Sequence, residues 1–182
     1  MAWNQHEGGT MAHGRPVAVD TSETFEEFYM REFRPVVGLA YALSGSRSGA
    51  EDLAQEAFFA AHRDWDRVGG YDDPGAWVRR VVANMAVSAF RRRTVEAKAL
   101  LRIAGGQVEA LPDLSADDAE FWRAVRSLPR RQSQVVALHY LEDLPIAEVA
   151  RVLGMAIGTV KKHLYDGRAS LARRLKLEED EP

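Results

Sequence analysis

The stretch LPIAEVARVLGMAIGTVKKHLYDGRASLARRL, Leu144 to Leu175, limits what this chain can fold into more than any other part of it. Ile146, Val149, Ala150 and Leu153 recur at three- and four-residue steps, which puts them on one face of a short helix. Gly154 suits the left-handed conformation that ends such a helix. Val160, Leu164, Leu171 and Leu175 then repeat the helical stripe. Two short helices joined by a tight Gly-containing turn form a helix-turn-helix, whose second helix lies in a DNA major groove. The stripe leaves Thr159, Lys161, Lys162, His163 and Asp166 away from the expected core, with Arg168 further along the same helix. Lysines can bond guanine edges or phosphates, and Thr159 at the helix start suits a phosphate oxygen.

The net charge of −3 looks wrong for a nucleic-acid binder until it is resolved along the chain. Acids dominate from Asp20 to Asp66. From Trp77 to Arg102 the sign reverses, with Arg79, Arg80, Arg91, Arg92, Arg93, Lys98 and Arg102 against Glu96 alone. Gln107 to Glu120 is acidic again, Arg123 to Lys176 is basic, and Glu178 to Glu181 closes acidic. Alternating blocks of this kind imply separate surfaces for separate partners, the basic ones facing phosphate. Cysteine is absent, which excludes disulfides and thiolate chemistry. No apolar run approaches the roughly 20 residues of a membrane span, and Met1 to Asp20 has no signal-peptide core, so a cytoplasmic protein without a membrane partner is expected.

Every periodic segment has helical rather than period-two spacing, so the fold class expected is all-α. Phe25, Phe28, Tyr29, Phe33, Val36, Val37, Ala40 and Leu43 mark a first helix, bent near Pro35 and broken at Ser44-Gly45-Ser46. Ser48 and Glu51 have capping-box spacing for a second helix. Its inner face is Ala50, Leu53, Ala54, Ala57, Phe58, Ala61 and Trp65. A loop from Asp66 to Gly75 precedes a helix over 76–93 with Val78, Val81, Val82, Met85 and Ala89 inward. Gly105-Gly106 and the acidic stretch after it read as a linker. Helices resume over 116–127 and from Leu128-Pro129 to Tyr140. The organisation expected is two small helical domains, residues 22–96 and 116–177. A linker (97–115) joins them, and an N-terminal extension (1–21) and an acidic tail (178–182) flank them.

Two further faces stand out. Asp52, Gln55, Glu56, Phe59 and Arg63 share the outer side of the second helix. A phenylalanine among acids and amides fits a docking face for a basic, apolar partner site, and fits equally a wide edge of the core. Arg80, Asn84, Ser88 and Arg91 form the outer stripe of the 76–93 helix, with Tyr71 and Trp77 beside it. That set suits an unpaired DNA strand, whose bases stack or enter pockets; a core tryptophan beside a soluble helix end is the alternative. The five histidines are scattered, with no metal-ligand spacing. No nucleophile motif or phosphate-binding glycine loop occurs, so neither enzyme activity, metal nor cofactor is expected.

Three motifs in order carry a family resemblance. GAEDLAQEAFFAAHRDW resembles conserved region 2.2 of the extracytoplasmic-function (group IV) sigma factors of the sigma-70 family. DPGAWVRRVVANMAVSAFRRR resembles their regions 2.3 and 2.4, and LPRRQSQVVALHYLEDLPIAEVARVLGMAIGTVKKHL resembles region 4. The similarity spans about Phe25 to Leu175 and is greatest to the actinobacterial SigE-like group. It implies that Asp52, Gln55, Glu56 and Phe59 dock on core RNA polymerase. It further implies that Trp77, Arg80, Asn84, Ser88, Arg91 and Arg92 recognise the promoter −10 element and hold one strand open. Thr159, Lys161, Lys162, His163 and Arg168 would bind the −35 element, and an anti-sigma factor would cover these faces. Ser88 departs from the family's commoner acidic residue, and Lys162-His163 from its commoner Ser-Arg pair, so the −35 sequence does not transfer. A stand-alone helix-turn-helix regulator, binding duplex DNA without polymerase, is the competing reading.

Overall fold

The computed structural model describes residues 23–101 and 116–179, and among these the regular structure is eight helices. The first domain holds α1 (Phe25–Ser44), α2 (Arg47–Arg63), the single turn α3 (Trp65–Val68) and α4 (Pro74–Leu101). The second holds α5 (Ala116–Ser127), α6 (Arg130–Tyr140), α7 (Ile146–Leu153) and α8 (Ile157–Glu179). The N-terminal extension, the linker from residue 102 to 115 and the last residues of the tail lie outside the described residues. No helix among the described residues is long and apolar enough to cross a membrane.

The helix ends follow from local chemistry. Thr24 starts α1 with a reciprocal pair: its hydroxyl accepts from the Glu27 amide, and its own amide donates to the Glu27 carboxylate at 3.0 Å. That backbone donor also holds the Glu27 pKa below its ordinary value. The helix runs through Pro35 and ends at Gly45, whose φ of 70° is the left-handed conformation glycine adopts without a Cβ clash.

Ser46, extended at φ −137°, then caps α2 by accepting the Gly49 amide at 3.2 Å. The expected capping box from Ser48 to Glu51 is therefore wrong by two residues. The reversal at Gly45 completes the turn early enough for Ser46 to take the cap, and Ser48 falls inside the first turn. α2 also stops earlier than its stripe suggests, at Arg63, and Trp65 opens the separate turn α3. Pro74 is the first residue of α4, where its missing N–H costs nothing. α4 continues to Leu101, into the stretch read as linker.

The first core is built where α1, α2 and α4 meet. Phe28, Leu39 and Leu43 of α1 pack on Ala54, Ala57, Phe58 and Ala61 of α2 and on Val78 and Val82 of α4. The alanines let the helix axes close while the aromatics fill the remaining space: the Phe28 ring sits 5.7 Å from Phe58 and 5.0 Å from Trp65. Truncating a residue as buried as Phe58 costs roughly 3–5 kcal/mol. The inner edge of α4 is Val78, Val82, Ala83, Ala86 and Val87, whereas Val81, Met85 and Ala89, expected inside, are half-buried.

In the second domain Val135, Val136 and Leu138 of α6 meet Val149 and Leu153 of α7 and Val160, Leu164 and Leu171 of α8. Gly167 brings α8 close to α6, since a Cβ there would stand 3.1 Å from the Val136 Cγ2. Gly154 ends α7 at φ 61°, as its position in the turn requires. The two domains also pack on each other, α1 against α5 and α6, and α4 against α6 and α7.

Candidate nucleic-acid and polymerase interfaces

The outer face of α8 is open. Thr159, Lys161 and Lys162 are exposed at its start, where helix geometry places successive side chains toward a groove. Lys162 is paired with Asp166 one turn on, at 2.9 Å, which orients its ammonium without burying it. Arg168 is exposed and its guanidinium lies over the Tyr140 ring, 5.8 Å from the centroid. Tyr165, 75 % exposed, belongs to the same surface and was missed by reasoning from charge alone.

His163 is not with them. It is half-buried, and its Nδ1 is enclosed without a hydrogen-bond partner among the described residues. Lying three residues after buried Val160 and next to buried Leu164, it falls on the edge of the inward stripe, so its expected place away from the core is corrected. His139, by contrast, packs edge-on against Tyr140 at 4.9 Å, with its Nδ1 2.8 Å from the Leu144 carbonyl oxygen.

The stripe on α4 is brought together by the structure, but its middle faces protein. Asn84 accepts at its Oδ1 from Arg130 at 2.6 Å and from the Gln134 amide at 3.0 Å. Gln134, fully buried, also donates to the Ala83 carbonyl at 3.2 Å. The Arg80 guanidinium rests against Gly154, within 3.2–3.4 Å of where a Cβ would be. Ser88 donates to the Asn84 carbonyl at 2.7 Å and remains exposed, as do Arg91 and Arg92 further along. Trp77 is half-buried and, with Tyr71, Asp73, Arg80 and Arg151, lines a cleft of about 410 Å³ between the loop before α4 and α7.

A set of ionic contacts surrounds this stripe, and none was legible in the motif. Arg79 donates to Glu32 at 2.7 Å and to Glu142 at 2.9 Å, so one guanidinium of α4 joins α1 to the loop after α6. Arg151 of α7 donates to Asp73 at 2.7 Å and also pairs with Glu148. Burial alone would raise the Asp73 pKa, but the Ala76 amide, bonded at 2.8 Å, and the Arg151 guanidinium together leave it lowered. Arg126 of α5 reaches the C-terminal end of α1 and donates to the Ala42 carbonyl at 3.1 Å, while Arg93 donates to the Ser44 carbonyl. α1 has no basic residue in its own last turn, so these two arginines complement its carbonyl end. Burial pushes the Arg126 pKa down to about 10, which still leaves the group charged at neutral pH.

α2 supplies the third surface. Asp52, Gln55, Glu56 and Phe59 lie along its outer side, all exposed, and Phe59 is 69 % exposed. The alternative of Phe59 as a core edge is thereby excluded. Beside it runs a shallow groove lined by Phe33, Arg34, Val37, Glu51 and Gln55.

Two helical domains, one ending in a free basic recognition helix and the other carrying an acidic helix with an uncovered phenylalanine, define a DNA-binding protein built to dock on another protein. Residues 28–95 match the family description "Sigma-70 region 2", and residues 118–171 match "Sigma-70, region 4". The RNA polymerase sigma-E factor of Streptomyces avermitilis is 28 % identical over 91 % of this chain and 89 % of its own length. The ECF RNA polymerase sigma factor SigM of Mycobacterium tuberculosis is 30 % identical over 83 % of this chain and 76 % of its own. Among solved structures, the sigma factor RpoE of Bartonella quintana, in complex with the anti-sigma factor NepR, superposes with a TM-score of 0.66. It is 25 % identical and covers 84 % of this chain and 96 % of that one. The chain belongs to the extracytoplasmic-function RNA polymerase sigma factors of the sigma-70 family. It therefore serves core RNA polymerase as a promoter-specificity subunit, and a polymerase-independent regulator is not favoured. Its relatives are sigma factors, which are not enzymes.

Proposed function

We propose that the three surfaces divide the work of promoter recognition in the cytoplasm. The α2 face of Asp52, Gln55, Glu56 and Phe59 docks on core polymerase. Thr159, Lys161, Lys162 and Arg168 of the second domain read the −35 element. Trp77, Arg80, Asn84, Ser88, Arg91 and Arg92 read the −10 element and hold its displaced strand. The protein catalyses nothing itself. Two modest DNA contacts, tethered through polymerase, combine into one selective one because the second binding event is intramolecular. Bases captured outside the duplex offset the cost of unstacking them, which favours strand opening.

The observation that carries the docking assignment is Phe59, 69 % exposed between acids on a face left open among the described residues. A desolvated aromatic ringed by polar groups is the usual anchor of a protein interface. Asp52→Ala combined with Phe59→Ala should abolish binding to core polymerase while leaving the helical circular dichroism and the melting curve unchanged. Retained binding would remove this face from the docking surface. An anti-sigma factor, as found on the Bartonella quintana relative, is proposed as the partner that covers these surfaces in the uninduced cell.

A further inference from the structure

We propose that Asp166 and Lys162 act as one reading unit on α8 and select a single C·G base pair within the −35 element. The inference deepens the assignment of α8 to that element and rests on it. Between Ile157 and Lys176, one acid, Asp166, stands against Lys161, Lys162, Arg168, Arg173, Arg174 and Lys176. A carboxylate on a face that meets phosphates repels them, so its place there costs affinity that some other contact must offset. Helix stability is not that offset. An exposed pair four residues apart contributes little, and less with the cation on the N-terminal side, where Lys162 stands.

The geometry of the pair supplies a better one. Thr159, Lys162 and Asp166 follow at three- and four-residue steps, a single stripe running from the end of α8 that enters a groove. Lys162 Nζ lies 2.9 Å from Asp166 Oδ2, with side chains 72 % and 34 % exposed. The stripe therefore presents one acceptor beside one donor at hydrogen-bond separation. The major-groove edge of a C·G pair is its complement: cytosine N4 donates beside the guanine O6 acceptor, and those two atoms are themselves bonded at about 2.9 Å.

An ionised carboxylate only accepts and an ammonium only donates, so the two cannot exchange roles. Guanine N7 gives the ammonium a second acceptor next to O6, and no acceptor beside cytosine N4 repels the carboxylate. An A·T pair also sets a donor beside an acceptor, but adenine N7 then faces the carboxylate and the thymine methyl crowds the ammonium. Turned around, a G·C pair brings O6 against the carboxylate. The unit ranks C·G first.

The test uses holoenzyme assembled from the full chain and purified core polymerase. The probe is a promoter library with the −35 element randomised and the −10 element fixed, and bound templates are sequenced. The wild type should select cytosine at one −35 position, on the order of tenfold over any other base. Asp166→Ala should erase that preference at that position alone and tighten binding to unrelated duplex. Asp166→Asn offers an amide that matches adenine N6 and N7, so the preferred base there should change from cytosine to adenine. Lys161→Ala should weaken binding to every −35 sequence alike and leave the cytosine preference in place.

A cytosine preference that survives Asp166→Ala, or a loss of selection spread evenly over the element, would overturn the reading unit while leaving α8 as the −35 reader. Asp166→Asn, which keeps the side-chain shape, decides the matter should Asp166→Ala melt early: an intact cytosine preference overturns the unit. If neither Lys161→Ala nor Asp166→Ala alters −35 binding, the assignment of α8 itself fails, and the inference with it.

Discussion

The two basic faces of this sigma factor have nearly the same vocabulary and opposite surroundings. On α8, Thr159, Lys161 and Lys162 stand in solvent, and among the described residues Lys162 pairs with Asp166 within the same helix. On α4, Arg79 and Asn84 are engaged by Glu142, Arg130 and Gln134 of the other domain, while Arg80 lies exposed beside Gly154. An exposed lysine costs the fold little to change, whereas an arginine shared by two nearly buried carboxylates is part of the structure. The difference teaches that a basic residue on a helix of this family is evidence of an anionic partner, but not of which one.

The contrast breaks first at Arg79. Arg79→Ala leaves nearly buried Glu142 without its guanidinium and Glu32 with Arg31 alone, and should destabilise the protein by about 3 kcal/mol, read as a lower urea midpoint. An unchanged midpoint would place the network on the surface in energetic terms. Asn84→Ala strands the Arg130 donor and one bond of the Gln134 amide, with an expected loss of about 1–3 kcal/mol in the same measurement.

A smaller effect is expected from acid. The folded pKa of Asp73 lies below its unfolded value, so its contribution is complete above about pH 4 and is lost as pH falls through the folded value. The urea midpoint should fall in that window in the wild type and fall less in Arg151→Ala, where the partner is already gone. The smallest change belongs to the open face. Lys161→Ala should move stability by no more than about 0.5 kcal/mol. It should also lower the salt dependence of −35 binding by polymerase holoenzyme by a slope of about one.

Much of this fold was legible because apolar spacing and helix ends are local. The stripe of Ile146, Val149, Ala150 and Leu153, the turn at Gly154 and the anchors Val160, Leu164 and Leu171 all stand as their periodicity requires. Phe59 was legible as an exposed aromatic, although only packing could show that no neighbour covers it. The misplaced cap shows the limit of short patterns. Ser46 and Ser48 offer the same hydroxyl two residues apart, and the left-handed Gly45 decides between them. His163 was expected clear of the core and is half-buried, since a position between two stripes can turn either way.

The domain contact was illegible in principle. An Arg/Asn stripe has the same sequence whether it meets a phosphate, as motif reasoning supposed, or Glu142 and Gln134 some fifty to sixty residues away. Only the folded chain brings Glu32, Arg79 and Glu142 into one cluster.

Run-off transcription with purified core polymerase and a promoter library tests the central claim most directly. Transcripts should appear only when this protein and core are both present, and their templates should share one −35 and one −10 sequence at a fixed spacing. Lys161→Ala with Lys162→Ala should weaken selection at the first element and Asn84→Ala at the second. No promoter-specific transcript, together with tight binding of a palindromic duplex by the protein alone, would contradict the account.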